Sequence, residues 1–393
     1  MNHIDAQFTD DVLTIHLKGH IDSGNAPDVE QEIAEARSGH EDAPVVLNCA
    51  DLAYISSAGL RVILRLKKLC PDTKVTEVSP EVYEIFDVTG FTEIIDVSKA
   101  YRVLSVEGCE VIGQGANGKV YRIDPDTVVK VYFNADALPE IHRERELARA
   151  AFVSGIPTAI PYDVVRVGDG YGSVFELLNA TSFAKLLINK EKTVDEVAQM
   201  SVDLLKLIHS TEVDPEVMPS MRDVAIDWAR FLNDYLEPEL AAKLVKLVED
   251  VPEDNHMMHG DYHIKNVMLQ NGEVLLIDMD TLCHGHPVFE LASVYNAYQG
   301  YSDTDHGIVL DFIGIDWDTS TNFWNKTLEL YLGTTDSDRI KEVEEKAQIV
   351  GYTRIMRRSI RRNGLNTPEG RAVIDNARTR LEELVPKYDT LLF

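Results

Sequence analysis

The sequence predicts two consecutive bodies: an α/β layer unit over residues 1 to about 100, then a larger α+β unit with its strands early and its helices late. Three observations predict this. Strand-like and helix-like periodicities alternate through the first hundred residues. A glycine-rich turn lies between two strand-like runs after residue 110. From about Thr181 onward the pattern becomes mainly helical. A chain of 393 residues is also longer than one ordinary domain.

In the first unit, Val12 to Leu17 alternates, with Leu13, Ile15 and Leu17 on one face, and reads as a strand. Pro27 to Arg37 is polar-amphipathic and reads as a helix, and Val45 to Leu47 as a short apolar strand. Ser57 to Cys70 follows as a helix, with Arg61, Arg65 and Lys68 along one face and Leu60, Ile63 and Leu64 along another. Val82 to Val88 is a further short helix. A short segment around residues 99 to 107 joins the units. In the second unit, Val111 to Ile123 reads as strand, turn and strand. Asp124-Pro125-Asp126 is a turn, and Val128 to Phe133 is a strand. Glu140 to Val153 is a helix, Tyr171 to Leu178 a strand, and Val267–Leu269 with Val274–Ile277 a strand pair within the helical region.

Apolar residues at 45% and charged residues at 26% fit a chain able to build real cores. A net charge of -28 argues against broad nucleic-acid binding, because phosphate backbones are repelled; it reads first as an acidic surface serving solubility and mildly favours a cationic or neutral substrate. Cys49, Cys70, Cys109 and Cys283 are scattered, with no CxxC pair, so neither a disulfide framework nor a zinc site is expected. The polar, acidic start is unlike a signal peptide, and no apolar run approaches the roughly 18 residues that span a bilayer. The expectation is a cytoplasmic protein without nucleic-acid or membrane partners.

Gly113, Gly115 and Gly118 form a GxGxxG turn between strands. Glycines recur in tight turns for backbone reasons alone. A strand-turn-strand setting disfavours a dinucleotide turn and favours a lid over nucleotide phosphates. Lys130 stands inside an apolar strand, where an ammonium is costly without an anion. Its role would be to bridge nucleotide phosphates and a helix carboxylate. Glu144 has Leu147, Ala148, Ala151 and Phe152 three, four, seven and eight residues on, which puts it on a buried helix face; Glu146 is the alternative partner. His259-Gly-Asp261-Tyr-His-Ile-Lys-Asn266 precedes Leu275-Leu-Ile-Asp278-Met-Asp280. Asp261 suits a base for a substrate hydroxyl. Asn266 and Asp278 suit hard oxygen ligation of Mg2+ on the phosphates of ATP.

This segment resembles the catalytic loop of aminoglycoside phosphotransferases, in the HGDxxxxN form rather than the HRD form of protein kinases. The order glycine turn, Lys130, Glu144, Asp261, Asn266, Asp278 is similar to that of the protein-kinase-like superfamily, which includes choline, fructosamine and homoserine-type kinases. The resemblance covers residues 106 to 393. It implies an α+β two-lobed protein-kinase-like fold, with an N-lobe over 106–180 and a helical C-lobe over 181–393. It also implies ATP and Mg2+ as cofactors, and transfer to an unidentified hydroxyl acceptor on a small molecule or protein. Phe175-Glu176-Leu177-Leu178 resembles the hinge whose backbone pairs with adenine, so Glu176 and Leu178 join the nucleotide set. Gly285-His-Pro287-Val-Phe-Glu290-Leu-Ala carries Glu where the family often has Asp, and the longer side chain can make similar hydrogen bonds. His259 is expected to brace the loop, His209 to pack in the helical lobe, and His284 and His286 to pack in loops. Arg357, Arg358, Arg361 and Arg362 form a cationic stretch, either a solvated face or a hold for a substrate anion or partner.

Asp51-Leu-Ala-Tyr-Ile-Ser56-Ser57-Ala-Gly-Leu-Arg61 lies where a strand ends and a helix begins, and a serine there is first of all a cap. The run also resembles the signature of STAS domains, the anti-sigma-factor antagonist family, over residues 1–100. The resemblance implies an α/β STAS-like domain with a protein partner. It also implies a phosphorylated serine at the helix start, with Ser57 at that position and Ser56 where the family usually has Asp. The alternative to an active kinase is a nucleotide-binding signalling scaffold without turnover.

Overall fold

The computed structural model describes residues 3–115 and 117–393. Ala116, inside the glycine-rich turn, lies outside the described residues. The chain divides into two units: residues 1–105 with 164–168, and residues 106–163 with 169–393.

The first unit opens on a hairpin, Ile4–Thr9 against Val12–Ile21, closed by Asp10 and Asp11, both at positive φ. Two successive positive φ values give the tight turn whose twist matches paired strands. Val45–Ile55, Lys74–Val78 and Asp96–Lys99 then add in parallel, in that spatial order, to complete a five-stranded sheet. The helices Ala26–Arg37, Ser57–Leu69 and Pro80–Val88 are the connections. Leu13, Ile15 and Leu17 are buried as their alternation requires, in a core shared with Val29, Ile33, Leu47, Val62 and Phe86. Of the five strands of this sheet, three escape the sequence reading: Ile4–Thr9, Lys74–Val78 and Asp96–Lys99. They are short, and Ile4 is the sole buried residue of the first.

In the second unit, Glu110–Gln114, Gly118–Asp124, Thr127–Tyr132 and Gly170–Glu176 pair antiparallel in succession. Gly118 allows the closest approach there. A Cβ on it would sit 2.4 Å from the Val131 carbonyl oxygen on the paired strand. The helix Leu138–Val153 follows this sheet's first three strands. The rest is mainly helical, apart from two short two-stranded pairings and the Thr181–Ser182 strand that adds to one of them. The hairpin Val267–Gln270 with Glu273–Leu276 turns on Asn271 and Gly272, again both at positive φ. The helix Pro287–Tyr298 is buried on every side from Val288 onward, so it forms the centre around which the other helices pack.

The four cysteines are free. Among the described residues no helix is long and apolar enough to cross a membrane.

Candidate active site

Lys130 sits between two partner strands, opposite Val120 and Ser173. Its Nζ donates to both oxygens of Glu144, at 2.9 and 3.1 Å, and lies 3.6 Å from Oδ1 of Asp278. Glu144 is 6% exposed and also accepts from the Tyr132 hydroxyl at 2.5 Å. A buried carboxylate is tolerated when its oxygens are matched this way. Burial alone would lower the Lys130 pKa. The charges of Glu144, Tyr132 and Asp278 outweigh it and hold the value above that of an ordinary lysine, so the ammonium persists. Glu146 is exposed, which excludes it as the partner. Phe152 departs from the expected stripe and is 52% exposed. Eight steps of roughly 100° leave it about 80° round the helix from Glu144.

The turn at Gly260 depends on its φ of +80°, and a Cβ there would lie 2.4 Å from the Thr281 carbonyl oxygen. Glu290 organises this turn. Its fully buried carboxylate accepts from the backbone N–H of His259 at 2.5 Å and of Gly260 at 3.1 Å. Burial would raise the Glu290 pKa, but nearby His209 and His259 and the Gly260 N–H hold it lowered. The glutamate thus makes the loop bonds expected of it. His259 accepts from the Asp261 N–H on Nδ1 (3.3 Å), and its Nε2 faces the Ile277 carbonyl at 3.2 Å. That pairing places the proton on Nε2. His259 therefore braces the loop, and His209 packs against Tyr331, with Nδ1 2.7 Å from the hydroxyl. His284 Nδ1 lies 2.8 Å from the Asp254 carbonyl, and His286 caps the helix Pro287–Tyr298, so both pack in loops.

Asp261 is the side chain this frame presents. His263 Nε2 lies 3.6 Å from its Oδ2. Burial would raise the Asp261 pKa, yet His263, then Arg354 and His259, outweigh burial and lower it to about 2. Arg354 donates to Ser293 Oγ at 2.9 Å and to the Gly260 carbonyl at 3.4 Å. Asn266 spends its Nδ2 on the Asp261 carbonyl (3.2 Å), which leaves Oδ1 as the amide atom suited to a cation.

Asp278 follows the strand Glu273–Leu276 and adopts φ 67° and ψ 66°, a left-handed conformation uncommon for a non-glycine residue. Two residues on, Asp280 is pushed up to about 7, first by burial, then by the charge of Asp278. Asn117, beside the glycine turn, donates to Asp280 at 3.3 Å. Among the described residues no three His, Cys, Asp or Glu side chains converge tightly enough to hold a metal unaided. Asp278 with the Asn266 amide oxygen is a donor set of the kind Mg2+ takes, one or two protein oxygens completed by water and phosphate oxygens. The mutual repulsion of Asp278 and Asp280 is what a hard divalent cation would relieve.

Lys130, Glu144, Asp261, Asn266 and Asp278 therefore share one site within the second unit. Glu176 ends its strand exposed, and the Leu177 N–H donates to the Asp126 carbonyl at 2.8 Å just before Leu178. Gly115 has open space around it. In the first unit Ser56 is the cap, accepting from the N–H groups of Ala58 and Gly59, while Ser57 is the exposed first helical residue. Sequence reasoning missed Tyr132, His263, Asp280 and Arg354 as members of the site. Asp280 alone carried a signal, its place two residues from Asp278.

Residues 108–319 match the phosphotransferase enzyme family, and residues 3–104 match the STAS domain. Over 95 residues the chain is 37% identical to the putative anti-sigma factor antagonist BtrV of Bordetella bronchiseptica, covering 23% of this chain and 81% of that protein. It is 26% identical over 100 residues to the anti-sigma-B factor antagonist of Bacillus subtilis, covering 24% of this chain and 90% of the relative. Among solved structures, a thermostable mutant of aminoglycoside phosphotransferase APH(4)-Ia is similar at 15% identity and a TM-score of 0.47, over 71% of this chain and 94% of that one.

Proposed function

The chain belongs to the phosphotransferase enzyme family, and from that premise we propose that it moves the γ-phosphate of ATP to a hydroxyl acceptor in a Mg2+-dependent reaction. The observation that carries this reading is the meeting of Lys130, paired to Glu144, with Asp278 on one side and the low-pKa carboxylate Asp261 in the same electrostatic neighbourhood. On this reading Lys130 holds phosphate oxygens, and Gly113, Gly115 and Gly118 let backbone N–H groups approach them. The backbone of Glu176 and Leu178 receives the adenine. Asn266 and Asp278 hold Mg2+, which supplies charge neutralisation on the phosphates. Asp261, ionised throughout the neutral range, accepts the proton of the acceptor hydroxyl, and Glu290 and His259 keep its loop in place.

The STAS domain supplies a regulatory or partner-binding surface, in keeping with relatives named as anti-sigma factor antagonists. Ser57 is its phosphate-accepting position: an exposed hydroxyl at a helix start, where added negative charge meets the positive end of the dipole. Purified protein should form ADP from ATP in the presence of Mg2+ and stop when the metal is chelated. Bound nucleotide without any ADP formation would instead make the chain a scaffold. Mass spectrometry of the Ser56–Ser57 peptide after incubation with ATP reports on the serine, and an unmodified peptide removes its assignment.

A further inference from the structure

We propose that the phosphate acceptor carries an oxyanion group, a carboxylate or a phosphate, gripped by the arginine face of the helix Ser337–Arg361 where it packs against the helix Met221–Phe231. The inference rests on the phosphotransferase reading and names the acceptor's class. It runs against the chain's overall charge, which taken alone points to a cationic or neutral substrate.

Arg354, Arg357 and Arg361 recur at three and seven residues from the first, which places them on one helix face. That face begins at the reaction centre. Arg354 reaches the Gly260 carbonyl and Ser293, and its charge bears on Asp261. The facing helix supplies flat aromatic walls, with Trp228 5.4 Å from the Arg354 guanidinium and Phe231 5.7 Å from that of Arg357. Cation–π attraction at such distances holds a guanidinium without using up its N–H donors.

The remaining feature is what these arginines lack. The chain has 66 acidic residues against 38 basic ones, and among the described residues some arginines meet a carboxylate while others, Arg61, Arg149 and Arg371 among them, do not. Arg222, Arg230, Arg339, Arg378 and Arg380 are among those that do. Among the described residues, Arg354, Arg357 and Arg361 have no carboxylate within ion-pair distance. The buried Nε of Arg357 has no hydrogen-bond partner. Burial first, and then the like charge of Arg361, disfavour the Arg357 cation, and the attraction of Asp227 does not offset them. A cationic row left unpaired beside a catalytic carboxylate matches an anion that arrives with the acceptor. The guanidinium fork fits carboxylate and phosphate oxygens two at a time.

The test uses the full chain saturated with Mg-ADP and titrated calorimetrically with four probes. D-glycerate joins a hydroxyl to a carboxylate, and glycerol 3-phosphate joins one to a phosphate. Glycerol is the neutral control and ethanolamine the cationic one. The proposal expects one anion to bind at least about ten-fold more tightly than both controls, with the better anion identifying the oxyanion. R357Q and R361Q should each weaken that binding several-fold. Arg361 is exposed, so R361Q is safe for folding, and each variant's own melting curve checks this. A chain that binds no Mg-ADP overturns the phosphotransferase reading and this inference with it. A chain that binds Mg-ADP overturns this inference alone if neither anion binds, if a control binds as tightly, or if both variants keep full anion affinity.

Discussion

Lys130 and Glu144 each make the other's burial tolerable, with Tyr132 as the third member. Lys130→Met would leave Glu144 with the tyrosine hydroxyl and no cation. Removing one partner of a buried pair costs about 3–5 kcal/mol. Urea unfolding should show that loss, and a second change, Glu144→Gln, should recover most of it without restoring turnover. Recovery of turnover in the double variant would contradict the phosphate-holding role. Asp261 offers a test by pH. Its pKa is depressed to about 2, with burial opposing and His263 the largest favourable influence. A depressed carboxyl contributes stability above its unfolded value, 3.8, and loses it as pH falls through about 2. With His263 replaced by Gln, burial is less opposed and the Asp261 pKa rises. The acid limb of kcat/KM should therefore move to higher pH, as measured by turnover across buffers. An unmoved limb would mean that His263 does not act on the base.

At the scale of elements, the glycine turn separates packing from ligand approach. Gly118 cannot carry a Cβ without meeting the Val131 carbonyl at 2.4 Å, whereas Gly115 meets nothing within 4 Å. Gly118→Ala should lower the melting temperature, while Gly115→Ala should leave it in place yet raise KM for ATP. Equal melting temperatures would contradict the strand packing described. In the STAS domain, Ser56→Ala removes the cap of Ser57–Leu69 and should cost about 1 kcal/mol, while Ser57→Ala should cost almost nothing in the same denaturant series.

These elements also show what the sequence carried. Lys130 in an apolar strand, Glu144 on a helical stripe, and the order Asp261, Asn266, Asp278 are local patterns, and local patterns can be read. The parallel strand Lys74–Val78 holds five residues, and Ile4–Thr9 buries one, so neither offers a clear alternation. Arg354 lies 94 residues from the Gly260 carbonyl it contacts, and only the folding of a distant helix brings it there. Tyr132 reads as one more strand aromatic until Glu144 is beside it.

For the whole molecule, the two units hold separate hydrophobic cores, and the proposed roles divide between them. Ser57 lies in the STAS domain, and every residue assigned to phosphoryl transfer lies in the other unit. That second assembly draws on a strand, a helix, a loop and a hairpin far apart in sequence, so its function rests on their convergence rather than on any single motif. The most direct measurement of this account is steady-state ADP formation by Asp261→Asn beside the unaltered chain, with Mg-ADP affinity measured on both. The account predicts turnover lower by about 10²–10⁴-fold, as expected for loss of a positioned base, with nucleotide affinity retained. Turnover equal to that of the unaltered chain would contradict it.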